Sequence, residues 1–153
     1  MKNIILSLAL IFEFILASEK IILVRPHPEI ESWTLKESLR VDLKKNVESD
    51  RVNFEFNLFE KEKKIVEANY ILFSTGLSLT WLCTYPNFRN MGYATTLIQF
   101  SLRILKKEGY DINNIKVFAV SCDATESGAL DLCGLIKFYE KFGFEVSSIL
   151  SKN

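Results

Sequence analysis

The stretch "VNFEFNLF" (52–59) alternates Val52, Phe54, Phe56 and Leu58 with Asn53, Glu55 and Asn57. Successive side chains of a strand point to opposite faces, so period two describes an extended chain with one face buried. A helix would scatter the same residues around its circumference. The run "EKEKK" (Glu60 to Lys64) reads as a solvated turn, and "KIVEANYILF" returns as a second strand. A chain with this hairpin near its middle must build a sheet and cover its apolar face.

The remaining pattern supplies the cover. "LSLTWLCTY" (Leu77 to Tyr85) is a further strand, stopped by Pro86. From Ala94, the residues Leu97, Ile98, Ser101, Leu102 and Leu105 share one helical face. Lys106, Lys107 and Gly109 suit the end of that helix. "IKVFAV" (Ile115 to Val120) is a strand; Leu132, Leu135, Ile136, Tyr139 and Phe142 mark a helix ending at Gly143, and "FEVSSIL" is a last strand. Upstream, "KIILVR" (Lys20 to Arg25) reads as a strand ended by Pro26. Leu35, Leu39 and Leu43 at i, i+4 and i+8 predict a helix between Pro28 and Lys45. The order β, α, three β, α, β, α, β predicts a mixed α/β (α+β) sheet with helices on both faces.

Composition excludes several classes. Apolar residues at 48% and charged residues at 25% are globular proportions. Nineteen basic side chains balance nineteen acidic ones, so there is no broad nucleic-acid footprint. The three cysteines (Cys83, Cys122, Cys133) form no C-x-x-C and, with His27 the single histidine, make no zinc set; they read as buried thiols. No metal is expected.

Residues 1–17 stand apart from a domain spanning 18–153. Lys2, an apolar run from Ile4 to Ala17 and polar Ser18 resemble a secretory signal peptide cleaved after Ala17. Glu13 inside the run and the large Ile15 fit an extra apolar helix or a retained anchor instead. The run is shorter than the roughly 20 residues a membrane span needs.

Between Tyr85 and Ala94 lies "PNFRNMGYA". A helix's first turn has unpaired N–H donors and a partial positive charge, so it holds anions. Arg89 adds a forked cationic donor, Gly92 permits close backbone approach, and Thr95 and Thr96 offer hydroxyls. By itself the pattern R-x-x-G-x-A also describes an ordinary strand-to-helix turn with a surface arginine.

A second segment, "FYEKFGF" (Phe138 to Phe144), follows one strand later. "RNMGYAT" and "FYEKFGF" in this order resemble the pyrophosphate loop and the F-Y-x-x-x-G-F helix end of the GNAT superfamily of acyl-CoA-dependent N-acyltransferases. The resemblance is specific from about Thr84 to Phe144 and extends by element order back to Lys20. It implies a wedge where two parallel strands, Leu77 to Tyr85 and Ile115 to Ser121, splay apart around acetyl-CoA. Backbone groups of Leu82, Cys83 and Thr84 would then pair with the pantetheine arm. Amides of Asn90, Met91, Gly92, Tyr93 and Ala94, with Arg89 and Thr95, would hold the pyrophosphate.

The same resemblance implies transfer of an acetyl group to a primary amine, with Tyr139 matching the tyrosine near the CoA sulfur; a core tyrosine is the other reading of that position. Where some family members carry a strand glutamate, this chain offers only Ser78, Thr80 and Thr84, so Asp123, Glu126 or a water relay would deprotonate the amine. Only residues 144–153 follow Gly143, enough for one strand where the family usually ends in two. A member of the fold that binds CoA or a partner without turnover is the alternative. A signal-like leader points to export or membrane association, whereas acetyl-CoA use points to the cytoplasm.

Overall fold

A computed structural model describes residues 29–36, 38–120 and 128–148. One seven-stranded sheet runs in chain order. Its first five strands are β1 (Glu29–Lys36), β2 (Leu39–Val47), β3 (Val52–Glu60), β4 (Lys63–Phe73) and β5 (Gly76–Thr84), each antiparallel to the next. β6 (Lys116–Ala119) and β7 (Glu145–Ser148) join in parallel. Parallel neighbours need a crossover, and α1 (Tyr93–Lys107) and α2 (Leu132–Glu140) supply the two. The expected mixed α/β sheet is formed, with two differences. Five strands in series precede the first described helix. Tyr139 of α2 joins the same buried cluster as the apolar face of α1, so the two helices share a side of the sheet instead of covering both faces. The apolar run 1–17 and the expected strand Lys20–Arg25 lie outside the described residues, as do Cys122, Asp123 and Glu126.

The helix expected between Pro28 and Lys45 is instead the β1–β2 hairpin. A spacing of four is one helical turn but also two strand repeats, so Leu39 and Leu43 fit either period. The intervening residues decide: Val41 is buried with Leu43, while Arg40, Asp42 and Lys44 alternate with them.

The alternation of β3 builds the core. Phe54, Phe56 and Leu58 are buried and face Tyr70, Ala68 and Val66 across the β3–β4 ladder. Burying one such phenylalanine stabilises the fold by about 1.5–3 kcal/mol. α1 covers this face through Leu97, Ile98, Phe100, Ser101 and Leu105. Tyr70 and Ser101 hydroxyls meet at 2.8 Å, and Trp33 packs edge-on against Phe100 at 5.4 Å. The helix ends where Gly109 N–H donates to Lys106 and Tyr110 N–H to Leu105, satisfying two terminal carbonyls. Tyr110 then packs on Phe54 at 5.1 Å.

The opposite face of β3 and β4 carries a polar ladder. Asn57 Nδ2 donates to Glu55 at 2.8 Å, Asn69 Nδ2 to Glu67 at 3.1 Å, and Lys64 Nζ to Glu67 at 2.7 Å. Cys83 is paired with Glu67 on this side of the sheet and is only half-buried; Cys133, in the first turn of α2, is exposed. The expectation of buried thiols therefore fails at both described cysteines. Lys61 and Glu62 form the exposed turn expected of the charged run. Its flanks do more: Glu60 accepts a hydrogen bond from Tyr93, and Lys63 lies 5.1 Å above the Phe88 ring.

Candidate active site

The parallel ladder between β5 and β6 has two rungs, Ser78–Lys116 and Leu79–Val117. Beyond them the strands part. The cause lies in β5, where Leu79 stands opposite Tyr70 but Trp81 stands opposite Asn69. Thr80 is therefore an extra residue, a β-bulge, and its hydroxyl donates to the Asn69 carbonyl at 3.1 Å. A bulge bends its strand and increases its twist. Leu82 and Thr84 stay paired with Ala68 and Val66, following β4, while Phe118 and Ala119 follow β7. A cavity of about 660 Å³ opens between them.

At the far end of β5, Pro86–Phe88 make one 3₁₀ turn and lead into α1. Asn90 (φ 62°) and Gly92 (φ 79°) are left-handed on either side of Met91. Asparagine enters that region more readily than most residues, and glycine does so without steric cost. Such alternation turns successive N–H groups towards a common concavity. The first intrahelical bond runs from Thr96 N–H to the Gly92 carbonyl at 3.0 Å, so the amides of Tyr93, Ala94 and Thr95 precede it. No side chain caps this end and no acidic residue lies in the first turn. The space before Gly92 is open, with no atom within 4 Å of a Cβ built there.

Three contacts hold the loop. Arg89 Nε donates to the Thr84 carbonyl at 3.2 Å, tying the loop to the strand it leaves. Tyr93 donates to Glu60 at 3.2 Å. Gly128 closes from the other side: a Cβ there would stand 3.1 Å from Asn90 Nδ2 and 3.3 Å from Arg89 Cβ, so a larger residue would press on the loop.

Tyr139 belongs to α2, capped by Asp131, whose carboxylate accepts from Gly134 N–H at 2.7 Å. Its ring stacks on Phe144 at 6.2 Å and meets Phe138 at 5.5 Å, which fixes its position at the cavity wall. Nearby Tyr70 is wholly buried, and burial pushes its phenol well above the ordinary range despite the hydrogen bond to Ser101.

One cavity brings together Leu82, Cys83, Thr84, Arg89, Asn90, Gly92, Tyr93, Ala94, Thr95 and Tyr139. Met91 is exposed and outside the lining. Of the strand hydroxyls, Thr80 and Thr84 line the cavity and Ser78 does not; Asp123 and Glu126 lie outside the described residues. Among the described residues no carboxylate lines it, and no group of His, Cys, Asp or Glu could hold a metal ion. Sequence reasoning missed Trp81, Phe118, Val120, Gly128 and Leu130, all in the wall. A signal for the first was present. Leu77 and Leu79 keep one apolar phase and Leu82 has the other, so the slip at Thr80 was readable.

No curated protein and no solved structure matches the chain. The family model for an acetyltransferase (GNAT) domain matches residues 53–146. That span is more than half of the 153 residues and runs from β3 through the splayed strands to β7. The chain belongs to the GNAT acetyltransferase family.

Proposed function

We propose that the protein is an N-acetyltransferase that moves an acetyl group from acetyl-CoA to a primary amine. The observation that supports this most is that one cavity runs between an uncapped helix N-terminus and the Tyr139 ring. In this reading the amides of Asn90 to Thr95 receive the pyrophosphate, where backbone donors and the helix dipole favour negative charge. The edge of β5 from Leu82 to Thr84 receives the extended pantetheine arm as an added strand. Arg89 acts chiefly through its brace on Thr84, holding strand and loop at a fixed angle.

The reaction forms a C–N bond and breaks the thioester C–S bond. A backbone amide of β5 beside the bulge would stabilise the oxyanion, and Tyr139 would protonate the departing thiolate. An amine of pKa about 10.4 must first lose a proton, at a cost near 4–5 kcal/mol at pH 7. With no described carboxylate in the wall, water would carry that proton away.

Calorimetric titration of the full chain with acetyl-CoA tests the reading, beside a Gly92→Glu variant that places a carboxylate before the amides. Saturable binding lost in the variant supports it. A folded wild-type protein that takes up no acetyl-CoA would overturn it.

A further inference from the structure

Trp81 and Phe118 stand on the two sides of the opened sheet, both on the face away from α1. Trp81 pairs with Asn69, whose neighbour Tyr70 points to the core. Phe118 follows Val117, which is buried on the core side of β6. Each is the first residue on that face once the Leu79–Val117 rung has passed, apart from bulged Thr80. Both line the cavity, yet Trp81 is 49% and Phe118 56% exposed. Val120, also in the wall, is 52% exposed. Isolated exposed aromatics need no explanation, but two on one face of neighbouring strands, both in the wall of one cavity, do.

We propose that Trp81 and Phe118 form the acceptor site, and that the acceptor is a primary amine carried on an aromatic or similarly flat apolar body. This rests on the acetyl-transfer reading above. Two features select that class. A flat apolar body buries its area against two exposed aromatic side chains that line one cavity. Once water is excluded, the apolar side chains of Trp81, Phe118 and Val120 disfavour the charged form and lower the amine's pKa.

The test compares phenethylamine, spermidine and kanamycin as acceptors for the full chain with acetyl-CoA, in wild type and in Trp81→Ala and Phe118→Ala. The expected result is kcat/KM for phenethylamine at least about tenfold above the other two. Each variant raises its KM about tenfold, with acetyl-CoA affinity by calorimetry unchanged. Phenethylamine should also perturb the tryptophan fluorescence of the CoA-bound wild type but not of Trp81→Ala, where Trp33 remains as the control. Three results overturn the proposal: spermidine or kanamycin served as well as phenethylamine, no amine acetylated by a protein that binds acetyl-CoA, or variants that weaken acetyl-CoA instead. Loss of acetyl-CoA binding by the folded wild type is a separate result, and it sinks the acetyl-transfer reading itself.

Discussion

Tyr70 and Ser101 share a 2.8 Å hydrogen bond between β4 and α1, with both residues fully buried. Ser101 Oγ donates to the Ile98 carbonyl at 2.9 Å, which leaves its oxygen to accept from the Tyr70 hydroxyl, so this one group joins helix and sheet. Ser101→Ala leaves the Tyr70 phenol without this partner in an apolar setting. The expected loss is about 1–3 kcal/mol in urea unfolding. Tyr70→Phe removes the orphan with the group and should cost less in the Ser101→Ala background than alone.

The same phenol sets an alkaline limit. Burial raises the folded-state pKa of Tyr70 above the unfolded value. The folded state therefore holds this proton more tightly, and the associated stability is complete below about pH 10, the unfolded value. It is lost as pH rises beyond that. Stability measured above about pH 10 should fall less steeply in Tyr70→Phe than in wild type.

On the opposite face, the hydrogen bond from Lys64 holds the Glu67 carboxyl below its usual range, and the same bond raises Lys64. The Glu67 contribution is present above the ordinary carboxylate pKa and fades as pH falls through the lowered one. The Lys64 contribution fades as pH rises through its raised value. Both side chains are partly exposed (32% and 21%), so the pair contributes roughly 0–1 kcal/mol. Glu67→Gln should flatten the acid limb of the stability profile below about pH 4.5 and leave the neutral Tm within a few degrees.

At the loop, Gly92→Ala keeps the open space but forces a side chain into a left-handed backbone at φ 79°. A cost of about 1–2 kcal/mol in stability is expected. Acetyl-CoA binding should weaken mildly in this variant and be abolished in Gly92→Glu, by calorimetry. Equal binding by all three proteins would mean the pyrophosphate sits elsewhere.

Tyr139→Phe separates chemistry from packing. The ring contacts with Phe138 and Phe144 survive and only the hydroxyl is lost. If the phenol protonates the leaving thiolate, kcat falls roughly 10²-fold, while acetyl-CoA affinity stays within about twofold. An unchanged kcat would return Tyr139 to the core.

Much of this was legible because its signals are local. The β3 alternation, the Lys106–Lys107–Gly109 helix end and the R-x-x-G-x-A loop each depend on neighbours in sequence. The β1–β2 hairpin was misread because Leu35, Leu39 and Leu43 fit two periods, and the choice rests on pairing with β3, a partner distant in sequence. The residues that line the cavity from β6 were hidden for a similar reason. Phe118 looks like the outward half of an ordinary strand until the second rung ends and the two strands part. Close approach of Gly128 to Arg89 is likewise a tertiary fact.

Because Thr80 is accommodated as a bulge, the sheet has a rim inside it, besides the outer ones that β1 and β7 form among the described residues. An outer rim is a hazard, since any other chain can add to it. The inner one is flanked by β6, with the loop at Gly92 at one end, and it faces a cavity of about 660 Å³. The bulge thus turns strand edge, which at an outer border invites any chain, into the wall of a bounded space.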